Sequence, residues 1–158
     1  MSQLICQTEH FEVIAPDKPH VDRRDGGHIK IVPKIRVRDR TELLDNLAVE
    51  LMLLSRIVGK AMTRAMQARG VDIGRINYQE NGNWGVFRTE GPYLHLHLYG
   101  RARDAVTQKY GEALHFPKRE TGFYDDVSPL DADDVEAVRA EVIILSRQAS
   151  LRFKIETG

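Results

Sequence analysis

Two histidines, His95 and His97, are separated by a single residue in the stretch "YLHLHLYG", Tyr93 to Gly100. An imidazole titrates near working pH, attacks phosphorus when neutral, and ligates metals through either nitrogen. Side chains alternate along a strand. In an extended segment His95 and His97 therefore face one way with Tyr93 and Tyr99, and Leu94, Leu96 and Leu98 face the other. Two rings side by side can reach different atoms of one small anionic group. The same pair offers two nitrogens to one metal ion, with His28, His115 or Glu90 as a third ligand. Read alone, the strand also fits a solvated polar face that happens to carry histidine.

The three leucines need a layer to pack against. It is supplied by "RDRTELLDNLAVELMLLSRIVGKAMTRAMQARG". Leu47, Leu51, Leu54, Val58 and Met62 recur every three or four residues there, which is one face of a helix. Asp39, Thr41 and Asp45 are candidate caps, and Gly70 suits the stop. The turn around Thr41 to Asp45 has the look of a separate short helix. Leu43, Leu44, Val49, Met52 and Leu53 widen the apolar surface beyond one packing stripe.

The other strands are read from shorter signals. "HFEVIA" has strand residues, and "PDKPHVDRRDGG" after it is a polar loop. In "HIKIVPK", Ile29 and Ile31 share one face and His28, Lys30 and Val32 the other, until Pro33 ends the pairing. "VDIGRINYQ" reads as a strand and "ENGNWG" as a turn. The stretch after Arg103 is mostly loop until "SPLDADDVEAVRAEVIILSRQASLRF", where Ser128-Pro129 and the acids behind them signal a second helix. Two helices and about five strands that do not alternate as βαβ units predict an α+β fold with an antiparallel sheet.

Bulk properties narrow the class. The 158 residues suffice for about one domain with a real core. Lys+Arg and Asp+Glu both total 23, so no overall charge favours nucleic acid or a membrane surface. No apolar run approaches the roughly 20 residues that span a bilayer. The acids and His10 near the start argue against a secretory signal, and the single Cys6 allows no internal disulfide. A cytoplasmic protein is expected.

"GGHIKIVPK", the long helix, "INYQENGNWG" and "PYLHLHLYGR" occur in that order. The ordered set resembles the histidine triad (HIT) family of nucleotide hydrolases and transferases over residues 10 to 102. The resemblance implies one HIT-like domain over residues 1–158, with 103–158 as a C-terminal extension. It implies His95 as the nucleophile that forms a nucleotidyl-histidine at an α-phosphate. It implies His97 as a holder of that phosphate, and His28 as a support for the nucleophile through a hydrogen-bond relay. No metal or other cofactor is implied. Asn77, Asn81 and Asn83 fall where the family has an Asn touching phosphate or ribose. Phe11, Val13 and Ile14 are candidates for the base pocket, with core packing the favoured role for most of them. Asp17, Asp22 and Asp25 lie where a ribose-binding acid would be sought, without a clear match. Arg36, Arg38 and Arg40 could attract an anionic substrate.

The chain departs from the family at two positions. Tyr93 stands where the first triad histidine is expected; it can hydrogen-bond but cannot take a positive charge. Glu90 replaces a hydroxyl residue near the leaving group, where it would donate a proton if protonated and repel polyphosphate if ionised. The expected substrate is a purine nucleotide or dinucleoside polyphosphate, and many family members pair as homodimers. The alternatives are a catalytically impaired nucleotide-binding protein on the same scaffold, or a metal-dependent enzyme with His95 and His97 as ligands.

Overall fold

A computed structural model describes residues 1–158. Five strands form one antiparallel sheet: β1 (Gln3–Gln7), β2 (Phe11–Ala15), β3 (His28–Pro33), β4 (Ile73–Gln79) and β5 (Leu96–Ala102). Their spatial order is β1-β2-β3-β5-β4. The predicted α+β class and antiparallel sheet hold. The fifth strand is β1, ahead of the first one read from the sequence, and Val86 to Pro92 is loop.

Helix α1 spans Asp45–Ala68, after a short 3-10 turn at Arg40–Glu42. Asp39 caps that turn by accepting from the Thr41 N–H, whereas α1 itself has no side-chain cap. Leu47, Leu51, Leu54, Val58 and Met62 are all buried, as their spacing requires. Leu44, Val49 and Met52 remain exposed on the opposite side. Helix α2 spans Ala132–Gln148 and starts three residues beyond Pro129. The reason is a capping box: the Asp131 carboxylate takes the Asp134 N–H while Asp134 takes the Asp131 N–H. Val135, Val138, Val142 and Leu145 of α2 join the same buried cluster as Leu54 and Leu98, so the two helices cover one face of the sheet together. No helix is long and apolar enough to cross a membrane.

The opposite face of the sheet carries the histidines, and two features aim it. β3 and β5 pair in a register that sets His28 opposite Tyr99 and Lys30 opposite His97. The chain reaches His28 through Gly26 and Gly27, both at positive φ (130° and 82°). A Cβ on Gly26 would collide with the backbone of Gly100, and one on Gly100 with the backbone of Gly26. Both glycines are needed for the loop to lie against β5 beside the site.

Candidate functional site

Leu94, Leu96 and Leu98 all enter the core, so the alternation read from the sequence is right in phase. The strand is shorter than that reading, however. β5 begins at Leu96, where its pairing with β3 stops opposite Ile31. Tyr93 and His95 lie in the segment just ahead of it. Nor is the histidine face open. His97 and Tyr99 are buried, covered by His20 from the loop before β3 and by Phe116 from the segment after β5.

The rings form a continuous cluster. The Tyr93 ring stacks on His95 at 4.6 Å, His95 meets His97 edge-on at 4.5 Å, and His97 stacks on Tyr99 at 5.2 Å. His20 stacks on His28 at 5.2 Å.

Hydrogen-bond partners fix where the protons sit. The backbone N–H of His20 donates to His28 Nδ1 at 3.3 Å. His28 therefore carries its proton on Nε2 and donates it to His97 Nδ1 at 2.8 Å. That leaves the His97 proton on Nε2, a buried donor with no partner in the protein. A buried donor without a partner costs about 1–3 kcal/mol, and an arriving acceptor recovers it. His95 obeys the same logic. Its Nδ1 lies 3.0 Å from the Tyr93 carbonyl oxygen, which can only accept. The proton sits on Nδ1 and the lone pair on Nε2. The Tyr99 hydroxyl accepts from Asn81 Nδ2 at 3.2 Å and shares a hydrogen bond with His20 Nδ1 at 3.0 Å.

Burial keeps these rings neutral. Desolvation pushes His97 down to about 2 and His20 to about 4, and holds His28 well below its ordinary value of 6.5. His95 is also lowered by desolvation, partly offset by its bond to the Tyr93 carbonyl.

His95, His97, His28 and Tyr93 line one cavity of about 230 Å³, together with Asn81, His20 and Trp84. Its charged lining consists of Lys18, Lys30, Arg88 and Arg119, with no carboxylate. Other residues expected here lie elsewhere. Asn77 is on β4 opposite Tyr99 and does not line the cavity; Asn83 borders a neighbouring, exposed depression. Glu90 is exposed and outside it, its carbonyl bonded by Arg36. Arg40 pairs with Glu80 at 2.7 Å. Phe11 and Val13 are fully buried in the core on the helix side, and Ile14 is not in the lining either. Asp17 takes the Ser2 hydroxyl. Asp22 and Asp25 are spent on backbone N–H groups, Asp25 on those of Val106, Thr107 and Gln108.

Four titratable side chains of the cavity were not singled out in the sequence: His20, Lys18, Arg88 and Arg119. Three come from loops and Arg119 from a short 3-10 turn, where no periodicity announces which way a side chain points. Lys30 had a signal, since it shares the His28 face of β3.

Three of the histidines, His20, His28 and His97, bring nitrogens within 4.8 Å of one another. His95 is not in this group, nor are His115 and Glu90. The trio suits a metal by ligand type and burial. The four cations around it disfavour a divalent ion and favour an anion.

No family model matches the sequence, and no curated protein matches it. Solved structures do. A hypothetical histidine triad nucleotide-binding protein from Sulfolobus tokodaii aligns over 96% of this chain and 91% of its own, with a TM-score of 0.63 and 16% identity. A histidine triad protein from Marinobacter aquaeolei aligns over 93% and 90%, with a TM-score of 0.60 and 17% identity. A zinc-bound histidine triad family protein from Mycobacterium smegmatis aligns over 93% and 89%, with a TM-score of 0.55 and 20% identity. The chain has the fold of histidine triad proteins.

Proposed function

We propose that this protein binds a nucleotide in the histidine-lined cavity and transfers its nucleotidyl group through His95, by attack at the α-phosphorus. One observation carries the reading. A neutral His95 with its lone pair on Nε2 stands beside His97, whose fixed Nε2–H has no acceptor, in a cavity whose fixed charges are all positive.

In the reaction, His95 Nε2 attacks the α-phosphorus and forms a P–N bond. The bond to the leaving group breaks on the far side, its electron pair leaves with that group, and solvent supplies the proton. His97 Nε2–H donates to a non-bridging oxygen as charge builds there. His95 gains positive charge, which the Tyr93 carbonyl stabilises through Nδ1–H. Water then attacks the phosphorus, the P–N bond breaks, and the lone pair returns to Nε2 with release of a nucleoside monophosphate. His28 orients His97 rather than touching substrate, and Asn81 holds Tyr99 and faces the ligand.

The Tyr93 departure is harmless on this account. The group that orients His95 is the main-chain carbonyl at position 93, which any residue supplies. The Tyr93 ring adds a stacked wall, with Arg36 at 5.6 Å from its centroid. Glu90 neither protonates the leaving group nor repels phosphate, being outside the cavity.

Residues 1–158 act as one domain, since the segment after 103 contributes α2 to the shared core. Two copies pair through exposed Val49 and Met52 of α1, Leu44 just ahead of it, and the free edge of β4. The cytoplasm, with its nucleotide pool, is the fitting location.

The test is release of AMP from adenosine phosphoramidate and from diadenosine triphosphate. Wild type should turn over at least one, and His95→Ala neither. Nucleotide-dependent change in Trp84 emission without product from either would instead establish a binding protein. A second reading, a zinc site at His20, His28 and His97, draws on their proximity and on the zinc-bound neighbour. It requires activity to fall with a chelator and return with zinc, whereas the nucleotidyl-histidine reading requires no change.

A further inference from the structure

We propose that Lys18 and Arg119 form a clamp that selects substrates whose leaving group carries phosphate. The proposal rests on the His95 reading, because it concerns what is bound to the phosphorus that His95 attacks.

The reacting phosphorus needs little charge beyond His97 and the nearby Lys30, whose backbone pairs with that of His97. The cavity nevertheless holds three further cations, Lys18, Arg88 and Arg119, and no acid. Two of them are tied together. Arg119 donates from Nη2 to the Lys18 carbonyl at 3.0 Å, and its guanidinium lies 4.9 Å from the centre of the Tyr124 ring. Tyr124 in turn packs against His20, at 5.7 Å between rings. Arg119 is thus fixed by the chain before β3 and by the segment after β5, with most of its five N–H donors left for a ligand. Its field already reaches His20, where it adds to the downward shift.

No carboxylate lines the cavity beside these charges, although Asp17, just outside it, feels Lys18 and acts on Lys30. Asp17, next to Lys18, is engaged by the Ser2 hydroxyl and lies near the N-terminal amine at 3.7 Å. Glu120, next to Arg119, does not line the cavity. A neutral amine leaving group would give the clamp nothing to bind. A nucleoside polyphosphate leaving group places several negative charges against it and gains most as that group departs with one more. The segment after residue 103 thereby becomes part of the site, through Arg119.

The experiment compares two substrates of one nucleotide: diadenosine triphosphate, which releases ADP, and adenosine phosphoramidate, which releases ammonia. Wild type should have the higher kcat/KM on diadenosine triphosphate. The double variant Lys18→Gln/Arg119→Gln should lose about tenfold or more on it while changing less than about twofold on the phosphoramidate. Added salt should slow the first reaction more than the second. Equal losses on both substrates, or a wild-type preference for the phosphoramidate, overturn the clamp. If wild type turns over neither substrate, the His95 reading fails and the clamp is judged separately by inorganic tripolyphosphate binding followed through Trp84. Binding weakened about tenfold or more in the double variant supports it; equal or absent binding in wild type overturns it.

Discussion

His97 and His95 are two residues apart and share a cavity, yet they are held in different ways. His97 belongs to β5, is 3% exposed, and has its proton placed by a chain running from the His20 backbone through His28. His95 lies ahead of the strand, more exposed, and its tautomer depends on one bond to the carbonyl of Tyr93. The donor that waits for an anion is built into the sheet register. The proposed nucleophile rides on a segment outside the sheet pairing. A fixed donor preorganises the charge the transition state develops, while the attacking atom needs room to follow the phosphorus.

Substitutions can break that comparison from either side. The largest effect short of removing the nucleophile is expected at His97. His97→Ala should slow the single-turnover burst by about a hundredfold to a thousandfold, because it deletes the preorganised donor but leaves the His95–Tyr93 bond in place. His28→Ala acts through His97, and the cost should be smaller, about tenfold to a hundredfold in the same assay. A larger loss at His28 than at His97 would reverse the assigned roles.

Acid separates the two rings by titration. His95 must be neutral to attack, and its pKa lies below 6.5, so the rate of adduct formation should be level from pH 8 to 6.5 and fall below that. The buried pair adds a stability term. His28 and His97 are neutral when folded but protonate readily when unfolded, so the unfolded state takes up more protons in acid. Their contribution is fully present above pH 6.5 and is lost as pH falls below it, by up to about 1.4 kcal/mol per pH unit for each ring. Denaturant melts between pH 7.5 and 5 should show this slope, and His97→Gln should reduce it.

Smaller changes sharpen the picture. Tyr99→Phe strands the Asn81 amide and His20 Nδ1 and should cost about 1–2 kcal/mol in thermal or denaturant unfolding. Tyr93→Phe should be nearly silent, under about threefold in kcat/KM, since its hydroxyl has no assigned work and its carbonyl is retained. A tenfold loss there would give the hydroxyl a role against substrate.

The sheet and helix were legible because both follow strict periods. Leu94, Leu96 and Leu98, Ile29 and Ile31, and the α1 stripe from Leu47 to Met62 all went where alternation or helical spacing sends them. The histidine positions were legible through the order of the motifs. Neither signal reaches the covering loops. Nothing periodic marks His20, Phe116, Tyr124 or Arg119, which meet only when the chain before β3 and the chain after β5 close over the same face. Phe11 and Val13, weighed as base-pocket or core residues, are core, because burial on the helix side of β2 claims them first. The strand limit at His95 was also hidden, since it falls where pairing with β3 stops, two residues before Pro33.

The most direct test is the intact mass of the protein quenched within milliseconds to seconds of mixing with diadenosine triphosphate or adenosine phosphoramidate. Wild type should gain the mass of one adenylyl group, His95→Ala should gain none, and His97→Ala should accumulate the adduct more slowly than wild type. An adduct that persists in His95→Ala, or product formed by that variant at the wild-type rate, would contradict the assignment of His95 as the nucleophile.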